Sequence, residues 1–210
     1  MLISDLAAIL RLRAREAPGP LLERMVRESA REFFRTSRVW RLDFVGAITA
    51  NNDAYDLNLP VGSLALDIEY AKLRTLNTNL TYIRDAAKKY KQYEELSTAN
   101  SPTYVQMYDD NTFRLYPPPA KDDVIEMRVV LSIVRDPTTA TDIDDQIVEE
   151  FEDPILDGAL ARLYEMPGET WSNIQQSQLH RAKFLDATER ARLRGQETRT
   201  PGVRTSAFSW

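Results

Sequence analysis

From Ile147 onward apolar residues recur every three or four positions, at Ile147, Phe151, Ile155, Ala159, Leu163 and Met166, with Leu156 and Leu160 in the adjacent places. That spacing predicts a helix with one buried face. Met166-Pro167-Gly168 stops it, and Ser172-Asn173-Ile174-Gln175 fits a capping box for a second helix that runs to about Gly195. The stretch Asp142 to Gly195 therefore reads as a helical hairpin. Two more helices open the chain. Ser4 or Asp5 caps the first, with Leu6, Ile9 and Leu10 on its face, and Pro18-Gly19-Pro20 ends it. Pro20 then suits the first turn of a helix reaching about Arg35, with Leu22, Met25, Val26, Ala30, Phe33 and Phe34 on one side and Arg24, Arg27, Glu28 and Arg31 on the other.

Between these helical ends the period changes to two. Trp40, Leu42 and Phe44 alternate with polar residues, as do Tyr55, Leu57 and Leu59 beyond the Asn51-Asn52-Asp53 turn, which predicts a β-hairpin. Leu66, Ile68 and Tyr70 follow the turn at Pro60-Val61-Gly62, and Leu80, Tyr82 and Ile83 follow Asn77-Thr78-Asn79. A short polar helix is expected after Asp85, around Tyr90 and Tyr93. Tyr104 to Tyr108 and Thr112 to Tyr116 form a second expected hairpin, Pro117-Pro118-Pro119 an extended polyproline connection, and Val124 to Val134 a long strand with Ile125, Met127, Val129, Leu131 and Ile133 on one face.

Helices, then antiparallel strands, then helices predict an α+β fold: a helical bundle from the N- and C-terminal helices, an inserted antiparallel β region and an extended C-terminal tail. The expected bounds are 1–37 and 138–195 for the two parts of the bundle, 38–137 for the β-rich insertion and 196–210 for the tail.

Charge sharpens the picture of that tail. The net charge is -5, yet residues 190–210 carry Arg190, Arg192, Arg194, Arg199 and Arg204 against Glu197 alone. An acidic body argues against a general nucleic-acid-binding domain, while a basic tail suits an acidic partner surface or plain solvation. The tail also ends in two aromatics, Phe208 and Trp210, that nothing local explains. There is no cysteine, so thiol nucleophiles, disulfides and cysteine-based zinc sites are excluded. No run approaches the ~18 apolar residues of a membrane span, and the N-terminus has no basic region ahead of its apolar residues, so neither a membrane anchor nor a secretory signal is expected.

Candidate chemistry is sparse. The single histidine, His180, has Gln176, Ser177, Lys183 and Phe184 as its helical neighbours, which complete no triad; it reads as a surface or interface residue unless a spatial partner lies elsewhere in the chain. The acids Asp142, Asp144, Asp145, Glu149, Glu150, Glu152 and Asp153 invite a metal reading, but a calcium loop starting at Asp142 needs glycine at the sixth place and glutamate at the twelfth, where Ile147 and Asp153 stand. Their place at a helix N-terminus accounts for them as caps and dipole partners. No phosphate loop, nucleophile elbow or zinc-protease signature occurs, so neither an enzyme nor a cofactor is expected. Pro154 within the first helix of the hairpin implies either a start at Asp153 or a kink. Gly158, one turn on, implies close packing against another backbone, of this subunit or a neighbour; Leu163 and Trp171 are expected packing positions beside them.

The run D-G-A-L-A-R-L-Y-E-M-P at 157–167, then Trp171-Ser172-Asn173 and a long helix ending in arginines, resembles the head-to-tail adaptor (connector) proteins of tailed bacteriophages. Phe113-Arg114-Leu115-Tyr116-Pro117 is similar to a strand of that family, and the aromatic end of the tail looks like theirs. The resemblance implies a ring of about twelve copies, docked beneath the portal protein, with a downstream tail or nozzle protein on its far side and DNA as passing cargo. It also implies a place in the virion neck after assembly in the host cytoplasm. Insertion of the tail into the portal would fall to Arg199, Arg204, Phe208 and Trp210. Fully extended, Gln196 to Trp210 spans at most about 50 Å. The alternative is a nucleic-acid-binding protein that uses the basic tail.

Overall fold

The computed structural model describes residues 3–84, 100–134 and 145–197. The expected polar helix after Asp85, the acids Asp142 and Asp144, and the tail residues Arg199, Arg204, Phe208 and Trp210 lie outside them. The chain divides into two compact units, one of Met1–Val39 with Ile143–Trp210 and one of Trp40–Asp142.

The first unit is helical. Helix α1 (Ile3–Arg13) buries Ile3, Leu6, Ala7 and Leu10. Ser4 and Asp5 lie inside its first turn instead of capping it, because the helix is already formed at Ile3. Helix α2 (Gly19–Ser37) has Pro18 as its N-cap and a proline in its first turn, where a missing N–H costs nothing. The expected apolar face, Leu22, Met25, Val26, Ala30, Phe33 and Phe34, is buried, and so are Ser29 and Arg27, the latter expected on the polar side. Arg38 ends α2 in the left-handed region, its N–H donating to the Phe34 carbonyl at 3.0 Å.

Helices α3 (Asp145–Tyr164) and α4 (Ile174–Glu197) form the hairpin, joined by residues 165–173. Pro154 does not start α3; the helix continues through a kink at Phe151 (φ -122°, ψ 16°). Proline supplies no N–H to the carbonyl four residues back, and its ring crowds that carbonyl, so the backbone departs from helical angles one turn earlier. The displaced Phe151 ring lies 5.1 Å from Phe33, whose ring is also 5.6 Å from Phe34 and 6.4 Å from Phe184. This aromatic cluster, with Leu156, Leu160 and Leu163, is the core of the helical unit. The cap of α4 falls one residue later than the expected capping box: Asn173 Oδ1 accepts from the Gln176 N–H at 3.1 Å, while Ser172 Oγ turns back to the Tyr164 carbonyl.

The second unit holds two four-stranded sheets. One has the order β1 (Arg41–Ile48), β8 (Asp123–Ile133), β3 (Ser63–Leu73), β4 (Thr78–Asn79). The other runs β2 (Ala54–Asp56), β7 (Thr112–Tyr116), β6 (Tyr104–Met107), β5 (Thr81–Tyr82). The expected hairpin of residues 40–59 is not formed: β1 pairs with β8 and β2 with β7, so the two strands join different sheets. The alternation expected at Leu66, Ile68 and Tyr70 also fails, because two register shifts in β3 bury Leu64, Ala65, Asp67, Ile68 and Ala71 and leave Tyr70 exposed. Pairing is antiparallel except between β5 and β6, which run parallel. The β6–β7 hairpin and the β8 strand form as expected, with Ile125, Met127, Val129, Leu131 and Ile133 fully buried. Tyr116–Pro117 is cis, with a bend there in place of a uniform polyproline run. Phe44 stacks edge-on with Phe113 at 5.9 Å, and a side chain at Gly46 would collide with the Phe44 ring.

Candidate functional site

Helix α3 is the middle of the helical unit, approached from two sides by buried serines. Ser29 Oγ of α2 donates to the Ile155 carbonyl at 2.6 Å, and Ser177 Oγ of α4 donates to the Ala161 carbonyl at 2.8 Å. Such side-chain bonds to a helix backbone need small residues at the contact. Gly158 supplies the space: a Cβ there would lie 2.2 Å from Ser29 Oγ and 2.6 Å from a Phe184 ring carbon. Its close neighbours are thus side chains of this same chain, a hydroxyl and a ring, and not another backbone. Leu163 is fully buried in the same unit. Trp171 sits in the hairpin connection, its indole Nε1 buried without a hydrogen-bond partner among the described residues. Pro154 is half-buried beside the kink it causes.

Polar groups then lock the three helices. Glu32 of α2 accepts from Arg181 of α4 at 2.8 Å and pairs with Arg162 of α3, and Arg162 also donates to the Gly158 carbonyl at 2.8 Å. Burial alone would raise the Glu32 pKa; the Arg181 hydrogen bond and the charges of Arg162 and Arg181 outweigh it and hold the carboxyl below its ordinary value. Both guanidinium groups lie over the Phe184 ring, at 5.9 and 5.3 Å from its centroid.

His180 has the spatial partner that its helical neighbours could not provide. Its Nδ1 is 2.7 Å from Asp157 Oδ1 on α3, with both side chains mostly buried and the Tyr164 ring 5.7 Å away. A carboxylate only accepts, so Nδ1 carries the shared hydrogen. Of the surface or interface positions expected for His180, the second holds: the pair ties α4 to α3 through a partner remote in sequence.

The basic C-terminal region is less free than its composition suggests. Arg190 pairs with Asp186, Arg192 with Glu189, and Arg194 with Glu150 on α3 at 2.6 Å. Arg199 and Arg204, with Phe208 and Trp210, lie outside the described residues. No group of three or more histidines and acids among the described residues could hold a metal ion, and no helix among them is long and apolar enough to cross a membrane. In the β unit an open cavity of about 280 Å³ is bordered by Ile48, Leu73, Leu76, Pro102, Pro119 and Asp123. Asp123 spends its carboxylate on the backbone N–H groups of Thr75, Leu76 and Val124, a structural role at the edge of this cavity.

What this geometry provides is a braced helical stem whose last helix delivers the C-terminal segment. The family model described as SU10 adaptor protein matches residues 1–206. The chain belongs to the SU10 adaptor protein family. Membership bears out the resemblance to phage head-to-tail adaptors carried by residues 157–173 and 113–117. No curated protein matches the chain. For an adaptor of this family, the residues that sequence reasoning missed are the helix locks: Ser29, Glu32, Arg162, Arg181 and Asp157. Their partners lie on other helices, so no local pattern marks them.

Proposed function

We propose that this SU10-family adaptor is a structural, non-enzymatic virion protein that forms a ring of about twelve copies beneath the portal. Its C-terminal tail inserts into the portal protein, the far side of the ring receives a downstream tail or nozzle protein, and DNA passes through the channel. It works in the neck between head and tail after assembly in the host cytoplasm. The match of an adaptor family over residues 1–206 carries this reading. Two features support the tail's part in it. Helix α4 runs to Glu197, with Arg194 paired to Glu150 on α3, and the tail follows directly from this packed helix in the sequence. Beyond it, Arg199, Arg204, Phe208 and Trp210 are the groups a tail needs for anchoring: aromatics for pockets and arginines for acidic rims.

Deleting Gln196 to Trp210 and measuring co-sedimentation with purified portal tests the insertion. Loss of binding is expected, and undiminished binding refutes it. The nucleic-acid reading has less support, since the body of the chain ahead of the tail is acidic and the family that matches is an adaptor family. Under that reading affinity for duplex DNA falls steeply with salt, whereas the adaptor binds DNA weakly at physiological salt.

A further inference from the structure

Helix α4 is amphipathic twice over. One side, with Ser177, Phe184, Thr188 and Ala191, is buried in the helical unit. The side turned away carries Ile174 (59% exposed), Leu179 (48%), Leu185 (50%) and Leu193 (49%). At 3.6 residues per turn these four, with exposed Ala182 among them, fall within an arc of about 140°. Exposed apolar residues gathered on one helix face can mark an interaction site, and the largest such patch on a protein is often functional. Helix α1 carries the single most exposed large apolar residue of those described, Leu12 at 72%, beside exposed Ala8. Both α1 and α4 pack on α2 and α3, and among the described residues they make no substantial contact with each other. Among the described residues the unit therefore leaves an apolar ridge on α4 and the exposed Leu12 with Ala8 on α1 without a partner.

The two surfaces are complementary. Leu12 is a single knob, and Ala182 between Leu179 and Leu185 leaves a hole of the kind such a knob fills. Leu12 is flanked by exposed Arg11, Arg13 and Arg15, while the α4 ridge is interleaved with Asp186, Glu189 and Arg192. Those acids are held only in exposed pairs with Arg190 and Arg192 on the same helix, contacts of the kind worth ~0–1 kcal/mol and readily exchanged.

We infer that the α4 outer ridge of one copy docks on the α1 outer face of a second copy, with Leu12 seated over Ala182. Because the two surfaces differ, the contact is heterologous: each added copy leaves one free ridge of each kind, and growth stops only when a ring closes. This names the subunit boundary of the proposed ring and rests on that proposal.

The test uses full-length chains in native mass spectrometry. Leu12→Asp and Leu185→Asp change exposed positions, so both variants should keep the wild-type circular dichroism spectrum. Each should remain monomeric where wild type forms multimers, with association weakened at least ~100-fold, because a charge is forced into an apolar contact. Mixed together, the two variants should form a 1:1 dimer that grows no further, since one supplies an intact α4 ridge and the other an intact α1 face. A Leu12→Asp variant that still self-associates while Leu185→Asp does not, with no mixed dimer, overturns the heterologous pairing in favour of α4 meeting α4. Wild-type multimers unaffected by either aspartate overturn the surface and leave the ring reading standing, and portal co-sedimentation lost by Leu185→Asp would then assign the ridge to portal. A wild-type chain that stays monomeric both alone and when mixed with purified portal overturns the ring reading and this inference with it.

Discussion

Replacing Gly158 by alanine sets two magnitudes against each other. Helix propensity favours alanine by ~0.8–1.0 kcal/mol at an interior helical position. The packing opposes it, because the new methyl would lie 2.2 Å from Ser29 Oγ and 2.6 and 2.8 Å from two carbons of the Phe184 ring. Neither neighbour gives way cheaply. Ser29 is fully buried and its hydroxyl is held on the Ile155 carbonyl, so displacing it strands polar groups at about 1–3 kcal/mol. Phe184 is fully buried against Phe33, and overpacking of such a site costs about 1–3 kcal/mol. The balance is a net loss of roughly 2–3 kcal/mol, or a Tm lower by about 5–10 °C for a chain of this size. Urea and thermal unfolding followed at 222 nm, where the helical unit dominates, measure it. Ser29→Ala in the same chain removes the nearest clash, so Gly158→Ala should cost at least ~1 kcal/mol less in that background. A Gly158→Ala chain more stable than wild type, or costs that simply add in the double variant, would refute the reasoning.

Three further outcomes follow from the helix locks. Glu32 is held below its ordinary value of 4.5, so its stabilising contribution is complete above that pH and is lost as pH falls through the lower folded-state value; Glu32→Gln should lower stability at pH 7 and flatten the acid limb of a stability–pH curve, and an unchanged curve would contradict the clamp. His180→Ala leaves Asp157 mostly buried without its partner and should cost about 1–3 kcal/mol, partly recovered by adding Asp157→Asn, whose neutral amide is cheaper to bury; equal stability of all three chains in urea would count against the pair. Asn173→Ala should cost ~1 kcal/mol and Ser172→Ala much less in the same titration, and the reverse order would restore the capping box at Ser172.

Periodicity made the bundle helices, the β6–β7 hairpin and the buried face of β8 legible, since each is a local pattern with one buried side. It failed where the deciding contact is remote. The residues from Trp40 to Leu59 look like a hairpin locally, but β1 finds its partner in β8, with Arg41 opposite Val130 and Ile48 opposite Asp123. Two shifts in β3 change which residues point inward, and a shift of one residue leaves no trace in an alternating pattern. Pro154 announced a disturbance of α3, yet only the structure puts the non-helical residue at Phe151. Gly158 was recognisable as a packing residue because glycine is costly in a helix; that it receives a serine hydroxyl and a ring depended on Ser29 and Phe184, which belong to two other helices. His180 seemed isolated for the same reason, its partner Asp157 lying 23 positions away.

The adaptor account stands or falls on assembly with portal. Native mass spectrometry of the full-length chain, alone and mixed with purified portal protein, measures that directly. The account predicts a ring of many copies bound to portal as one complex; a chain that remains monomeric and forms no complex with portal would contradict it.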